Sequence, residues 1–382
     1  MIATQRRWMK VTVGIASSLV LLGGCDWPQF RGSATRSGFN MNEGCCNQAN
    51  AISTDNAANL HQLWQAPIGD PLKTYQHYYA GNPVLAGNKV FVNGGDGNLH
   101  AYQWDTGVEL WSASVTGGND WVTGQTATPA ATASFVYVAQ SQSSGPPNQV
   151  YAFSTNGALS WSATVSGVNG LSSPGLVGAN LYLSTTTGVS ALAASSGATV
   201  WTSNAGAATT WTVVDTAVYY GTGGVVKALD LSTGQVLWTS PAFGGVVNDL
   251  AISNGKLFGR FGSTLRALDA TNGTSLWAAA GITATSAPAI DNGQVYIATG
   301  NGAVRSFDAT TGAQNWMTAA GSPIGVTVAN GVLFTAGPNR AFNAANGVQL
   351  INIGNLGAST DAPVGNGVYL ISNTYTLFAY VA

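Results

Sequence analysis

Residues Ala228–Trp238 read ALDLSTGQVLW, and Ala267–Trp277 repeat the phrase as ALDATNGTSLW. The unit returns as AYQWDTGVELW at Ala101–Trp111, ALAASSGATVW at Ala191–Trp201 and SFDATTGAQNW at Ser306–Trp316. AFSTNGALSW (Ala152–Trp161) is one residue short, and AFNAANGVQLI (Ala341–Ile351) ends without its tryptophan. One more copy opens at Ala379–Ala382, and its missing ending, Leu63-Trp64, stands near the other terminus. A repeat divided in this way predicts a closed ring.

Within each copy an alternating apolar run meets Asp or Asn, then Thr, Ser or Asn before Gly, then a second alternating run. The acidic or amide side chain can bond the turn amides, and the glycine supplies the positive φ that a bulged hairpin needs. The copy is therefore the hairpin between a third and a fourth strand. A further hairpin precedes it, as in Ala287–Ala309 with Asn292-Gly293 at its turn. Successive tryptophans stand from 37 residues (Trp201 to Trp238) to 50 residues (Trp111 to Trp161) apart, the length of a four-stranded propeller blade. The fold expected is all-β: an eight-bladed β-propeller of antiparallel four-stranded blades, closed by pairing of N- and C-terminal strands. Leu60–Gln65 would be the outer strand of the last blade and Thr360–Ala382 its inner three.

The Ala-x-Asp-x-x-x-Gly-x-x-x-Trp phrase resembles the docking motif of the pyrroloquinoline-quinone (PQQ) type of propeller. The stretch Trp27-Pro28-Gln29-Phe30-Arg31-Gly32 resembles the start of many such chains. The resemblance implies a girdle in which Trp64, Trp111, Trp161, Trp201, Trp238, Trp277 and Trp316 each pack against an alanine and the glycine of an adjacent copy. It covers roughly Trp27 to Ala382 and carries the fold further than the function. Quinone enzymes share the motif with lipoproteins that hold no quinone, among them the propeller of the outer-membrane β-barrel assembly machinery.

Composition suits a rigid extracytoplasmic β protein: 7% of the 382 residues are charged, while 49 are glycine and 12 tryptophan. A formal net charge of −2 gives no support for nucleic-acid binding. Arg6, Arg7 and Lys10 precede an apolar run, Val11 to Leu22, that is short for a membrane span. The run ends Leu22-Gly23-Gly24-Cys25, which resembles a lipobox. This reading divides the chain into a signal peptide (1–24), a polar leader after a lipidated Cys25 (25–59) and one propeller (60–382). It places the protein in the periplasm or on the cell surface, held to a membrane by its lipid.

Cys45 and Cys46 are adjacent and could form a vicinal disulfide or bridge to another molecule in an oxidising compartment. They are read as structural or incidental. No CxxC or Cys/His cluster points to a metal, and none is expected. His61, His77 and His100 fall in different segments and read as surface histidines. Gly221-Thr222-Gly223 lies at a hairpin with no helix after it, so it is turn chemistry rather than a phosphate cradle. No catalytic set emerges.

Candidate binding residues come from aligning the blades. The connections between blades and those between second and third strands share one face, here termed the loop face. Gln65–Gly81 is long and carries Tyr75, His77, Tyr78 and Tyr79; Ser112–Gln125 carries Asp120 and Trp121; Gln140–Gln149 is a polar loop. Long loops on one face of a rigid scaffold are where binding tends to be placed. Asn82, Thr128, Ser173, Thr210, Asp249, Ser286 and Asp361 would line the channel entrance as a solvated polar funnel. Just before the motif alanine stand Lys227, Arg266, Arg305 and Arg340 in four successive blades. They form a basic crescent on the loop face, or snorkel from a strand edge to water.

Two function classes follow. The one preferred is a membrane-anchored scaffold that holds a protein or an anionic envelope polymer on its loop face. The other is a PQQ-dependent alcohol or sugar dehydrogenase. It would need calcium ligands, basic partners for the cofactor's carboxylates and a carboxylate base. Beyond the signal segment the glutamates are Glu43 and Glu109 alone. Asp249 and Asp361 are the acids expected at the channel entrance, and no aligned calcium set accompanies them.

Overall fold

The computed structural model describes residues 29, 31–33, 35–37, 39–40, 51–69, 78–115, 124–125, 127–140, 148–168, 173–357 and 362–382. For Phe39, Asn40, Tyr78, Tyr79, Gly124 and Gln125 the backbone alone is described. Eight four-stranded antiparallel blades make the ring; seven pair their strands in sequence order, and the sheet of blade 7 gains a parallel fifth strand from the leader. Blade 1 is Val84–Ala86, Lys89–Asn93, Asn98–Gln103 and Glu109–Ser114. Blade 5 is Val247–Ser253, Lys256–Phe261, Thr264–Asp269 and Ser275–Ala279. Blade 8 takes Val364–Gly365, Val368–Ser372 and Thr376–Val381 from the far end of the chain and His61–Pro67 from the near end. In that closing pair Trp64 stands opposite Ala379, so the terminal strands complete the ring.

The motif builds each joint twice over. Its glycine takes a left-handed φ, +73° at Gly273, and the third strand of each blade slips register after the motif alanine or serine, as expected of a bulged hairpin. Asp230 Oδ1 accepts from the amides of Ser232 and Thr233 at 2.9 and 2.8 Å, and Asp308 Oδ1 from those of Thr310 and Thr311 at 2.9 and 2.7 Å. The Thr233 hydroxyl, 2.9 Å from Asp230 Oδ1, and the amide bonds hold the Asp230 carboxyl below its ordinary range, and the amide bonds to Asp308 do the same there. The bare glycine then receives the tryptophan of the preceding blade. A Cβ at Gly273 would lie 2.6 Å from Trp238 Cζ3, and one at Gly312 would lie 2.6 Å from Trp277 Cδ2. Each indole also donates Nε1–H to a carbonyl in the next blade, as Trp201 does to Leu231 at 2.9 Å. In blades 1 to 6 the other side of the ring tilts against an aromatic of the same blade's second strand, such as Tyr219 against Trp238 at 5.9 Å.

The joint from blade 7 to blade 8 is different, because Ile351 stands where the tryptophan should be. Phe334, left without its indole, stacks on Tyr369 of blade 8 at 4.6 Å. Ile52, Ala57 and Leu60, from the segment before the closing strand, complete this core. The residues ahead of the propeller are thus part of its packing. Between them, Ala57–Asn59 forms a single 3-10 turn.

The leader goes further, into the channel. The inner strands of a propeller are edges whose N–H groups face the axis. Ile252 N donates to Thr35 O at 2.9 Å in blade 5, and Ile290 N donates to Ser37 O at 2.8 Å in blade 6. Phe39 and Asn40 then pair in parallel with Val328 and Ala329 of blade 7. Advancing two residues per blade, the leader binds the same level of three consecutive inner strands. In blade 3 the side chain of Gln29 serves that level, donating to Leu176 O at 3.0 Å and accepting from Leu176 N at 2.8 Å.

Candidate functional site

The loop face surrounds the channel mouth, and the leader fills the channel beneath it. Arg31 and Arg36, both at left-handed φ, are 1% and 0% exposed. Arg31 Nη2 donates to Pro288 O at 2.6 Å and its Nε to Arg36 O at 3.1 Å. Arg36 donates to Thr212 O at 3.2 Å and Ser173 O at 2.9 Å. Those carbonyls lie where inner strands begin, so the two guanidiniums rise from the leader toward the mouth.

Of the entrance residues read as a solvated funnel, Asn82, Thr128, Thr210 and Ser286 are buried, while Ser173 and Asp249 are half-buried, and hydrogen bonds hold them in place. Asn82 Nδ2 donates to Thr128 Oγ1 at 3.2 Å, and Thr128 N donates to Ser173 Oγ at 3.1 Å. Thr210 Oγ1 receives Gly221 N and Ser286 Oγ receives Ala298 N, both at 2.9 Å. Asp249 sits at φ +58° in a bulge of the innermost strand of blade 5. Its Oδ2 accepts from Arg260 Nη2 at 2.9 Å. Burial pushes this carboxyl above its ordinary range, opposed by the charges of Arg260 and Arg31.

The crescent occupies one register. Arg266 Nη1 reaches Ser275 Oγ at 2.9 Å, Arg305 Nη1 reaches Gln314 Oε1 at 3.2 Å, and Arg340 Nη1 points to Gln349 Oε1 at 3.4 Å. In each case the partner lies nine residues on, in the outer strand of the same blade. The Nε of all three is shielded and without a partner, while the residues themselves are half-buried. Arg266 also lies over the ring of Phe243, 4.3 Å from its centroid, in the connection from blade 4 to blade 5. Lys227 donates to Ala205 O in the preceding connection. The stems are packed along the outer strands, as in the snorkelling reading, while Arg266 and Lys227 also touch connections of the loop face.

His100 occupies the same register in blade 1 and is not an ordinary surface histidine. It is 7% exposed, with Nδ1 2.8 Å from Glu109 Oε1 and Nε2 3.1 Å from Asp96 Oδ1. Burial opposes its charge, but the two carboxylates outweigh it and raise the imidazole above its ordinary value. The spacing from His100 to Glu109 equals that from Arg266 to Ser275, which is the signal in the sequence that could have found it.

Of the long connections, two meet: Tyr78 and Tyr79 pair in parallel with Gly124 and Gln125. Tyr75, His77, Trp121 and Asp361 lie outside the described residues, as do Cys25, Cys45 and Cys46. A quinone with calcium would need clustered oxygen ligands at the mouth. Among the described residues no three His, Cys, Asp or Glu side chains are grouped to hold a metal, and Asp249 is engaged by Arg260. Arg31 and Arg36 fill the channel below. The described residues do not fit that cofactor.

These features define an eight-bladed propeller of the PQQ-like class. The chain belongs to the family described as "Outer membrane protein assembly factor BamB", which matches over residues 46–203, 185–319 and 281–349. A comparison with curated proteins gives no match. Among solved structures, BamB from Moraxella catarrhalis is 18% identical, with a TM-score of 0.66 over 85% of this chain and 100% of that one. Quinohemoprotein alcohol dehydrogenase from Comamonas testosteroni is 14% identical, with a TM-score of 0.68 over 93% of this chain and 80% of that one. A europium-containing methanol dehydrogenase is 11% identical, with a TM-score of 0.69 over 94% and 98%. At these identities the likeness is one of fold.

Proposed function

We infer that this propeller is an extracytoplasmic, lipid-anchored scaffold that holds a protein or an anionic envelope polymer on its loop face. The observation that carries this reading is the border of Lys227, Arg266, Arg305 and Arg340, whose stems are fixed and whose cationic heads stand in one register beside that face. Fixed arginines lose little freedom on binding, and arginine is enriched in binding hot spots. The aromatic connections carrying Tyr75, His77, Tyr78, Tyr79 and Trp121 would supply apolar contact area on the same face, and Asp249 and Asp361 would flank the mouth. Membership of a family described by outer-membrane assembly supports the scaffold class and an extracytoplasmic place. The dehydrogenase reading rests on likeness of fold alone. PQQ and calcium belong to it, and no cofactor is proposed for the scaffold.

Reversing charge at Arg266 and Arg305 together removes the Phe243 stacking and should lower the melting temperature while leaving the protein folded. It should also weaken recovery of partners from the native envelope and flatten the loss of binding with added salt. Unchanged partners with unchanged salt dependence would refute the crescent as the binding border. Anchoring has its own test, since Cys25→Ala should abolish incorporation of labelled fatty acid.

A further inference from the structure

The leader fixes where a lipid on Cys25 can be. Gln29 is 6% exposed and bonds both backbone groups of Leu176, one residue from the end of the inner strand Gly175–Val177. The strand ends there at the turn face, the face of the hairpins opposite the loops. Cys25 precedes Gln29 by four residues, a reach of roughly 15 Å even when fully extended. An upward path would have to pass Arg31 and Arg36, whose buried guanidiniums fill the channel up to Pro288, Thr212 and Ser173. Of the described residues, those at the turn face near the axis of the ring leave the shorter way from Gln29 to solvent.

The turn face has matching exposed side chains. Val108 and Val348, in motif hairpins of blades 1 and 7, are 60% and 58% exposed. Leu159 at the start of an outer strand and Phe135 at the start of a second strand add 56% and 37%. Among the described residues this face carries Lys89 and Lys256 at the starts of second strands, and Asp105, Asp230, Asp269 and Asp308 in its motif hairpins. Scattered apolar tips among such charges would adsorb weakly to a bilayer unaided, so contact there needs a tether.

We propose that the ring lies with its turn face against the lipid surface that bears its anchor, and that the loop face is turned to the aqueous space. The proposal rests on lipidation of Cys25. The short, channel-bound leader replaces a flexible stalk and sets both the height and the facing of the disc. A partner held on the loop face then meets the scaffold on the side away from the membrane.

The test uses full-length protein recovered from membranes and reconstituted in phosphatidylethanolamine/phosphatidylglycerol vesicles containing a head-group spin-labelled lipid. In a Cys45→Ser/Cys46→Ser background, a fluorophore is placed at Ser134→Cys or Thr216→Cys on the turn face, or at Ala242→Cys or Ser263→Cys on the loop face. The expected result is several-fold stronger quenching at Ser134 and Thr216 than at Ala242 and Ser263. Equal quenching on both faces, or stronger quenching at the loop face, overturns the proposal. A flexible insert of about 20 residues between Cys25 and Gln29, spanning roughly 25 Å as a random coil, should leave vesicle flotation intact and abolish the difference. A difference that survives the insert also overturns it. If intact mass shows no lipid, the anchoring reading fails by itself. The same chain, coupled through Cys25 to a maleimide lipid with clickable labels at the four positions, then decides the facing.

Discussion

Trp64 lies flat against Gly107, so that a Cβ on the glycine would fall 2.6 Å from the indole Cδ2. The two residues belong to the last blade and the first, and the indole Nε1 adds a 2.9 Å bond to Trp104 O across the same seam. The strand bearing Trp64 comes from the N-terminal part of the chain and pairs with Thr376–Val381. One side chain therefore joins the first blade, the last blade and both ends of the fold.

Trp64→Ala should cost about 3–5 kcal/mol, the usual penalty for emptying a buried tryptophan site. Trp238→Ala, at an interior joint, should cost a similar amount. Denaturant unfolding of both variants checks this. A neutral Trp64 change beside a damaging Trp238 change would show that the seam does not bear on stability.

Arg36→Ala should destabilise by about 1–3 kcal/mol, because its removal leaves the buried carbonyls of Thr212 and Ser173 without this donor. A leader lying loosely in the channel would give no change in melting temperature. Protection of Ile252 and Ile290 amides from hydrogen exchange, which depends on Thr35 O and Ser37 O, should fall in parallel.

The His100 cluster predicts a pH window. Burial works against charge on the imidazole, yet Asp96 and Glu109 raise it above 6.5, so its stabilisation is complete below that value and is lost as pH rises through the raised pKa. The Asp96 carboxyl, which burial would raise, is lowered below 3.8 chiefly by His100, so its share is lost only as pH falls through that lowered value. Wild type should therefore lead His100→Gln most in melting temperature near pH 5–6 and lose that lead above neutrality. A lead independent of pH over that range would refute the charged bridge.

Cys45→Ser/Cys46→Ser should fold and melt as wild type. A bond between neighbours closes no long loop and removes little entropy from the unfolded chain. Failure of the double variant to fold under oxidising conditions would contradict this.

The blades were legible because one local rule recurs in seven copies, with Gly for positive φ in all of them, Trp for the joint in six, and Asp for the turn in the clearest. The shared last blade was legible from Ala379 and Trp64, each half of one motif. The leader was not. Its fit depends on backbone groups of blades 3, 5, 6 and 7 that no local pattern specifies, although two arginines in a chain with 7% charged residues were a signal. The entrance polars were placed at the channel mouth but assigned to water, because hydrogen bonds between blades, such as Asn82 to Thr128, have no signature in either segment. His100 escaped notice because its partners are set by cross-strand register rather than by neighbours in sequence.

The joint between blades 7 and 8, where Ile351 replaces tryptophan and Ile52, Ala57 and Leu60 supply the packing, bears on the order of biosynthesis. Blades 1 to 6 each consist of one continuous stretch and can form as the chain emerges. The leader and the strand His61–Pro67 are made before blade 1, yet their partners Val328, Ala329 and Thr376–Val381 are made after blade 6. The strand His61–Pro67 must therefore wait, unpaired, until the chain of blades 1 to 7 has been made. During that interval the nascent ring is an open arc, and the pairing of Thr376–Val381 with His61–Pro67 converts it into a sealed disc.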